Sequence, residues 1–376
     1  MDAVVTDPPY ELAFMGRKWD SSGVAYDTIV WGEALRVLKP GGHLLAFGGT
    51  RTWHRLAVAI EDAGFEVRDS IAWMYGSGFP KSLDVSKAID KMAGAERVPN
   101  GAYTSTACDF IQQGEACPGH GDESSLSSTV IHTLPTAPAT PAAQQWQGWG
   151  TALKPAFEPI VVARKPLDGT VAENVLRHGT GALNIDGSRI AGLADRPGTT
   201  PPSTGDRNAM SGDLPRMDYE PNAKGRWPAN VILDESQAAE LDRQSGVSVS
   251  KSGGVAGWQD EYVGGSYTPI ARTGHNDTGG ASRFFYVPKA NASERPRDGD
   301  TAHPTVKPLD LMRYLVKLVT PPGGTVLEPF AGSGATIEAA LDEGFHVIGI
   351  ELTDEYLPLI QQRINRVTEQ IEGRLL

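Results

Sequence analysis

The stretch TVLEPFAGSGAT at residues 325–336 decides how this chain folds. Its β-branched start reads as a buried strand, and "ATIEAALDEG" (335–344) reads as the helix that follows. Between them, Ala331, Gly332, Ser333 and Gly334 are small. Small residues at a strand-to-helix turn let a ligand approach the backbone closely, and the helix N-terminus offers unpaired N–H groups to it. The third glycine of a dinucleotide fingerprint would fall on Ile337, and no Gly-Lys-Ser or Gly-Lys-Thr follows, so the spacing matches neither a dinucleotide site nor a P-loop.

Working outward, "FHVIGIEL" (345–352) reads as the next strand and carries Glu351 at its end, where an acid can accept hydrogen bonds from a ribose diol. A glycine loop on one strand and a carboxylate on the next predict an adenosine site. Without the dinucleotide spacing, S-adenosylmethionine is the better candidate. A helix over "KPLDLMRYLVKLVT" (307–320) precedes the loop, and "DEYLPLIQQRINRVTEQI" (354–371) closes the pattern as a final helix.

The first 90 residues repeat this grammar. "DAVVT", "HLLAFGG" and "EVRDSIAWMYG" read as strands, alternating with helices over "YDTIVWGEALRVLKPGG" and "TRTWHRLAVAIEDAGF". Such alternation predicts an α/β fold built of parallel βαβ units. From Ala93 to Trp146 the chain dissolves into Ser, Thr, Pro, Ala and Gly and reads as a mobile loop. "FEPIVVARKP" (157–166) and "RWPANVIL" (226–233) read as further strands, separated by long Gly- and Pro-rich loops at 192–225 and 246–282.

Composition narrows the function classes. At 376 residues and 40% hydrophobic content the chain can fill one large core and a smaller appendage. No run reaches the roughly 18 apolar residues of a membrane span, and Met1 to Thr6 lack a signal-peptide layout, so a membrane role and export are not expected. Two cysteines fit a reducing cytoplasm. Cys108, Cys117 and His120 do not match a paired zinc spacing, and no metal is expected. The net charge of −12 argues mildly against a nucleic-acid partner. A local basic face from Arg272, Arg283, Lys289, Arg295, Arg297, Lys307 and Arg313 can coexist with it.

The first strand stops on "DPPY", Asp7 to Tyr10. Together with "FAGSG" (330–334), "HPTVKP" (303–308) and Glu351, this tetrapeptide resembles the amino-methylating DNA methyltransferases, over about residues 1–90 and 303–365. The order of parts resembles their permuted β class. The resemblance implies a Rossmann-like S-adenosylmethionine-dependent methyltransferase fold, permuted, whose catalytic half is 1–90 and whose cofactor half is 303–376. Residues 91–302 would form a loop-rich insert that recognises the target on double-stranded DNA.

The chemistry suits the tetrapeptide. An exocyclic amino nitrogen is a poor nucleophile because its lone pair is delocalised into the ring. Two rigid acceptors, the Asp7 carboxylate and the Pro8 carbonyl, can take its hydrogens and aim the lone pair at a sulfonium methyl. Pro8 and Pro9 freeze the carbonyl direction beforehand. Tyr10 offers a face on which a base flipped from the duplex can stack, and Phe79 in "GSGFPKS" (76–82) a second. By resemblance, Glu328, Phe330, Ala331, Gly332, Ser333, Gly334, Glu351, Thr305 and Lys307 hold the cofactor, the Lys307 ammonium meeting its carboxylate.

Two departures qualify the match. Family members commonly carry Asp-Pro-Phe where this chain has Glu328-Pro329-Phe330. The permuted class also places a further acidic strand upstream of the tetrapeptide, whereas only six residues precede Asp7 here. That wall of the pocket is expected from elsewhere in the insert, or to be missing through truncation, with weaker cofactor binding as a third outcome.

Adenine N6 is the implied target, because DPPY accompanies adenine more often than cytosine. Cytosine-N4 methylation and a catalytically silent DNA-binding relative are the rival readings. Glutamine and RNA methylation fit less well, since those relatives carry Asn-Pro-Pro-Tyr in an unpermuted domain. Family habit further implies a bacterial or phage cytoplasm, a homodimer, and a restriction–modification setting whose nuclease is unnamed. The aromatic-basic segments "GWGTALKPAFEPIVV" (148–162) and "RFFYVPKA" (283–290) read equally as DNA-facing surface or as core.

Overall fold

The computed structural model describes residues 1–12, 18–78, 80, 82–98, 136–190, 225–249, 278–289, 294, 296–299 and 301–375. These fall into two compact units, Met1–Ser77 with Ala156–Leu376, and Gly78–Pro155.

The larger unit is organised by a seven-stranded sheet of β1 (Ala3–Thr6), β2 (His43–Phe47), β3 (Glu66–Met74), β4 (Phe157–Arg164), β5 (Val231–Leu233), β6 (Thr325–Glu328) and β7 (His346–Gly349), in the order β7-β6-β1-β2-β4-β3-β5. Strand β1 pairs parallel to both β6 and β2, and β6 pairs parallel to β7. The parallel α/β expectation holds for this half.

It fails between β2 and β3. These were expected as neighbours in a βαβ unit, yet β4 lies between them and runs antiparallel to both. Fully buried strands of either direction share one apolar pattern, so residue types cannot report the reversal. Strands β4 and β5 come from the 91–302 stretch and are part of the central sheet. Of "RWPANVIL" only its last three residues form a strand; Arg226 makes an isolated bridge with Ile190.

Alternation along the strands fills two cores. Val5, Leu45, Phe47, Ile160 and Val162 face one side, where α7 (Leu309–Val319) and α8 (Ala335–Asp342) supply Leu311, Leu315, Ala339 and Ala340. Val4, Leu44, Ala46, Val161 and Ala163 face the other, against Trp31 and Ala34 of α1 (Thr28–Val37) and Leu56 and Ile60 of α2 (Trp53–Asp62). Burial on both faces is what fixes β1 and β2 at the centre of the sheet.

The smaller unit contains α3 (Val85–Met92) and α4 (Pro141–Gln145), the latter inside the stretch read as a loop. Thr140 caps α4 and Pro141 opens it, a start signal that the surrounding low complexity hid. Buried Asp90 accepts from Arg97 Nη1 at 2.8 Å, Thr140 Oγ1 at 2.8 Å and Ala139 N at 3.0 Å, so a satisfied polar staple substitutes for a large core. Two further helices, α5 (Val171–His178) and α6 (Glu235–Ser245), and the last, α9 (Leu357–Leu375), belong to the larger unit. No helix among the described residues is long and apolar enough to cross a membrane.

Candidate active site

Because β1 and β6 are adjacent and parallel, the DPPY tetrapeptide and the glycine loop leave the sheet at the same edge. A cavity of about 500 Å3 opens there. Asp7, Pro8, Pro9, Tyr10, Thr305, Lys307, Glu328, Phe330, Ala331, Gly332, Ser333 and Glu351 all line it. Gly334 does not. Its φ of 82° starts α8 in the left-handed region, and a Cβ there would come within 3.2 Å of Ile360, so its freedom serves the packing of α8 on α9.

Glu328 turns inward. Its carboxyl accepts from the hydroxyls of Thr6 and, at 2.6 Å, Thr336, and from Phe330 N at 2.9 Å. It therefore ties β1 to the glycine loop and α8, rather than reaching out from the cavity wall. Burial pushes it up to about 8 against those three hydrogen bonds. A carboxyl raised in the fold stabilises in its protonated form; the contribution is complete below the ordinary value of 4.5 and is lost as pH rises to about 8. A Glu328→Gln protein is thus expected to lose less stability than the parent between pH 5 and 8. Parallel melting-temperature slopes for the two proteins over that range would contradict it.

The glycine loop and the strand beside it are laced together. Gly332 N donates to Glu351 Oε2 at 2.6 Å, Thr353 N to Glu351 Oε1 at 2.7 Å, and Ala331 N to Ile350 O at 2.9 Å. Gly332 has φ 52°, and a Cβ on it would sit 3.1 Å from His303 Nε2, so a side chain would fill the cradle. His303 is fixed in turn by Thr305 O, 2.7 Å from Nδ1, and by edge-on contact with Tyr356 at 4.7 Å. Ile350 and Leu352, 53% and 93% exposed, offer apolar surface on either side of Glu351. A carboxylate with lone pairs to spare, a side-chain-free turn and apolar rims fit an adenosine-bearing cofactor.

At the other end stands a charge cluster. Lys307 Nζ lies 2.6 Å from Asp7 Oδ2, 3.3 Å from Glu158 Oε2 and 3.2 Å from the Tyr10 hydroxyl. It also lies over the rings of Phe47 and Tyr10 at 4.8 and 5.3 Å. Burial pulls the Lys307 ammonium down most strongly, yet Asp7 and then Glu158 outweigh it and hold it above the ordinary lysine range. Its charge is committed to the tetrapeptide, where sequence reasoning pointed it at the cofactor's carboxylate. Tyr10 donates its hydroxyl to Glu158 Oε2 at 2.8 Å; burial, then Asp7 and Glu158, push the phenol well up. Asp7 Oδ1 is buried and has no hydrogen-bond partner among the described residues.

The segment leaving the tetrapeptide is also fastened. Glu11 takes the left-handed conformation at φ 55°, and the N–H groups of Glu11 and Leu12 donate to Asp20 at 3.0 and 3.1 Å. A strained non-glycine residue beside a site is held only where its surroundings over-determine it. Here that fixes the exit direction after Tyr10.

Glu158 was missed by sequence reasoning. The available signal was an acid opening the apolar run "FEPIVV" (157–162); since β4 is antiparallel, its start lies where its parallel neighbours end. The expected basic face fares less well. Lys307 is buried, Arg313 pairs with Glu343 at 2.8 Å, and Arg283 donates to the carbonyls of Gly279 and Gly280, so these charges have internal uses. Tyr286 of "RFFYVPKA" stacks on Tyr314 at 4.1 Å as core, whereas Trp149 of the other aromatic-basic segment is 60% exposed. Phe79, Cys108, Cys117, His120, Arg272 and Arg295 lie outside the described residues. Among those described, no group of three or more His, Cys, Asp or Glu is placed to hold a metal ion.

Comparison with known proteins agrees with this arrangement. The family model described as DNA methylase, N6_N4_Mtase, matches residues 1–362. Type II methyltransferase M.HindIII of Haemophilus influenzae is 24% identical over 322 residues, 85% of this chain and 62% of that protein. The chain spans 33% and 62% of the length of two curated relatives it matches. Among solved structures, TTHA0409, a DNA modification methylase from Thermus thermophilus complexed with S-adenosyl-L-methionine, is 16% identical, with a TM-score of 0.38 over 98% of this chain and 86% of that one. PvuII DNA methyltransferase, cytosine-N4-specific, is 11% identical with a TM-score of 0.36, over 98% and 83%. With the family match running almost end to end, the chain belongs to the N6/N4 DNA methylases, whose methyl donor is S-adenosylmethionine.

Proposed function

We propose that this protein transfers a methyl group from S-adenosylmethionine to the N6 amino group of adenine in double-stranded DNA, acting on a base flipped into the cavity. The observation that carries the reading is the Asp7 carboxylate: Oδ2 is held by Lys307 at 2.6 Å, while Oδ1 is buried, without a partner among the described residues, on a side chain that lines the cavity. A buried acceptor without a donor is costly, and a substrate N–H satisfies it.

When bound, the cofactor supplies an electrophilic methyl on a sulfonium. The chain's own residues do the rest. Gly332, Glu351, Ile350 and Leu352 would hold the adenosine part beside the loop. Asp7 Oδ1 and the Pro8 carbonyl take the two amino hydrogens, which localises the nitrogen lone pair. Lys307 fixes the Asp7 rotamer, and Pro8 and Pro9 fix the carbonyl, so no reorganisation is needed when substrate arrives. Tyr10, tethered through its hydroxyl, presents its ring as a stacking wall for the flipped base. Residues 91–302 outside the sheet strands would read the DNA sequence.

Incubation of the full chain with unmethylated DNA and labelled cofactor, digestion to nucleosides and mass analysis is the test. N6-methyladenine is the expected product. N4-methylcytosine would replace the target assignment, and DNA binding without transfer would sink the catalytic reading.

A further inference from the structure

Among the described residues Lys307 is the one lysine lining the cavity, and it faces two carboxylates, Asp7 and Glu158. His303, which also lines the cavity, is held below the ordinary imidazole range by burial, and the Tyr10 phenol is pushed up. The cluster of Asp7, Glu158, Lys307 and Tyr10 therefore carries one surplus negative charge. For holding β4 against β1, one acid and one ammonium suffice. A second half-buried acid adds desolvation cost unless a cation arrives to meet it.

The reaction brings such a cation. As the amino nitrogen bonds to the methyl carbon, the electrons of the C–S bond stay on sulfur and the positive charge moves to nitrogen. Loss of one amino proton, along its hydrogen bond to Asp7 and on to water, then discharges it. A single fixed negative charge near both atoms stabilises the cation before, during and after transfer until that proton is gone.

We propose that Glu158 supplies this surplus charge, so that the pocket prefers a cationic methyl donor over its neutral thioether product and stabilises the positive charge as it passes to the amino nitrogen. The inference rests on the methyl-transfer reading above. It assigns to Glu158 an electrostatic role separate from its hydrogen bond with Tyr10, which a glutamine can keep.

The test is titration of the full chain with S-adenosylmethionine, with sinefungin, which carries an ammonium in place of the sulfonium, and with S-adenosylhomocysteine, which carries neither. Glu158→Gln is expected to weaken the two cationic ligands by about tenfold, the size of one partly screened charge contact, and to change the neutral one by less than about twofold. Glu158→Asp, which keeps the charge, should keep the parent's preference even where all three affinities drop. Equal weakening of all three ligands in Glu158→Gln, or no change in any, would overturn the proposal, as would loss of the preference in Glu158→Asp. An unaltered protein that binds none of the three would overturn the methyl-donor reading itself.

Discussion

Replacing Asp7 with asparagine is expected to lower methyl transfer by about 10²–10³-fold, the effect of removing one preorganised hydrogen-bonding group, while cofactor binding stays largely intact. The substitution keeps the volume and shape of the side chain. Its amide must still turn its oxygen to the Lys307 ammonium, now 2.6 Å from Asp7 Oδ2, because an NH2 there would set donor against donor. The NH2 is then left where Oδ1 stands, facing the substrate amine with a donor where an acceptor is needed. Single-turnover rates with saturating cofactor and DNA, beside a cofactor titration, check both halves of this expectation. Retained turnover would refute the acceptor role. Lost turnover with equally lost cofactor binding would make Asp7 a structural residue.

Lys307→Met should be the most destabilising change in the site. The ammonium is 8% exposed and is shared by Asp7 and Glu158, so its removal strands two carboxylates together in a half-enclosed pocket. Breaking a buried ion pair from one side costs about 3–5 kcal/mol, and transfer should fall with it because nothing then fixes the Asp7 rotamer. Adding Glu158→Gln to Lys307→Met is expected to restore part of the stability, since one of the stranded charges is removed. Urea midpoints of the parent, the two single variants and the double variant measure the coupling. Strict additivity would show that Lys307 and Glu158 do not share a charge balance.

Much of this site can be read before any coordinates exist. Strand β1 and the tetrapeptide, the glycine loop and Glu351 announce themselves because apolar runs stop abruptly on residues with special backbone or polar duties. What the residue types cannot show is which strands become neighbours. The reversal of β4 leaves its apolar pattern unchanged, so Glu158 reads as an ordinary acid at a strand start until the sheet order brings it to Tyr10 and Lys307. The same limit explains Lys307 and Glu328. Their partners, Asp7 and Thr6, lie 300 and 322 positions away, and only the pairing of β1 with β6 brings them within reach. The inward turn of Glu328 also follows from burial, which rewards its contacts with Thr6 and Thr336 over an outward reach.

The adjacency of β1 and β6 sets a timetable for synthesis. The ribosome releases Asp7 300 positions ahead of its counter-ion, an interval of roughly 15–60 s at about 5–20 residues per second. Throughout that wait one side of β1 lacks the strand it finally pairs with, and the nascent chain must be kept from donating that side to a wrong partner. The donor-binding loop and the reactive aspartate thus meet only once β6 has emerged, which couples the appearance of chemistry to completion of the sheet.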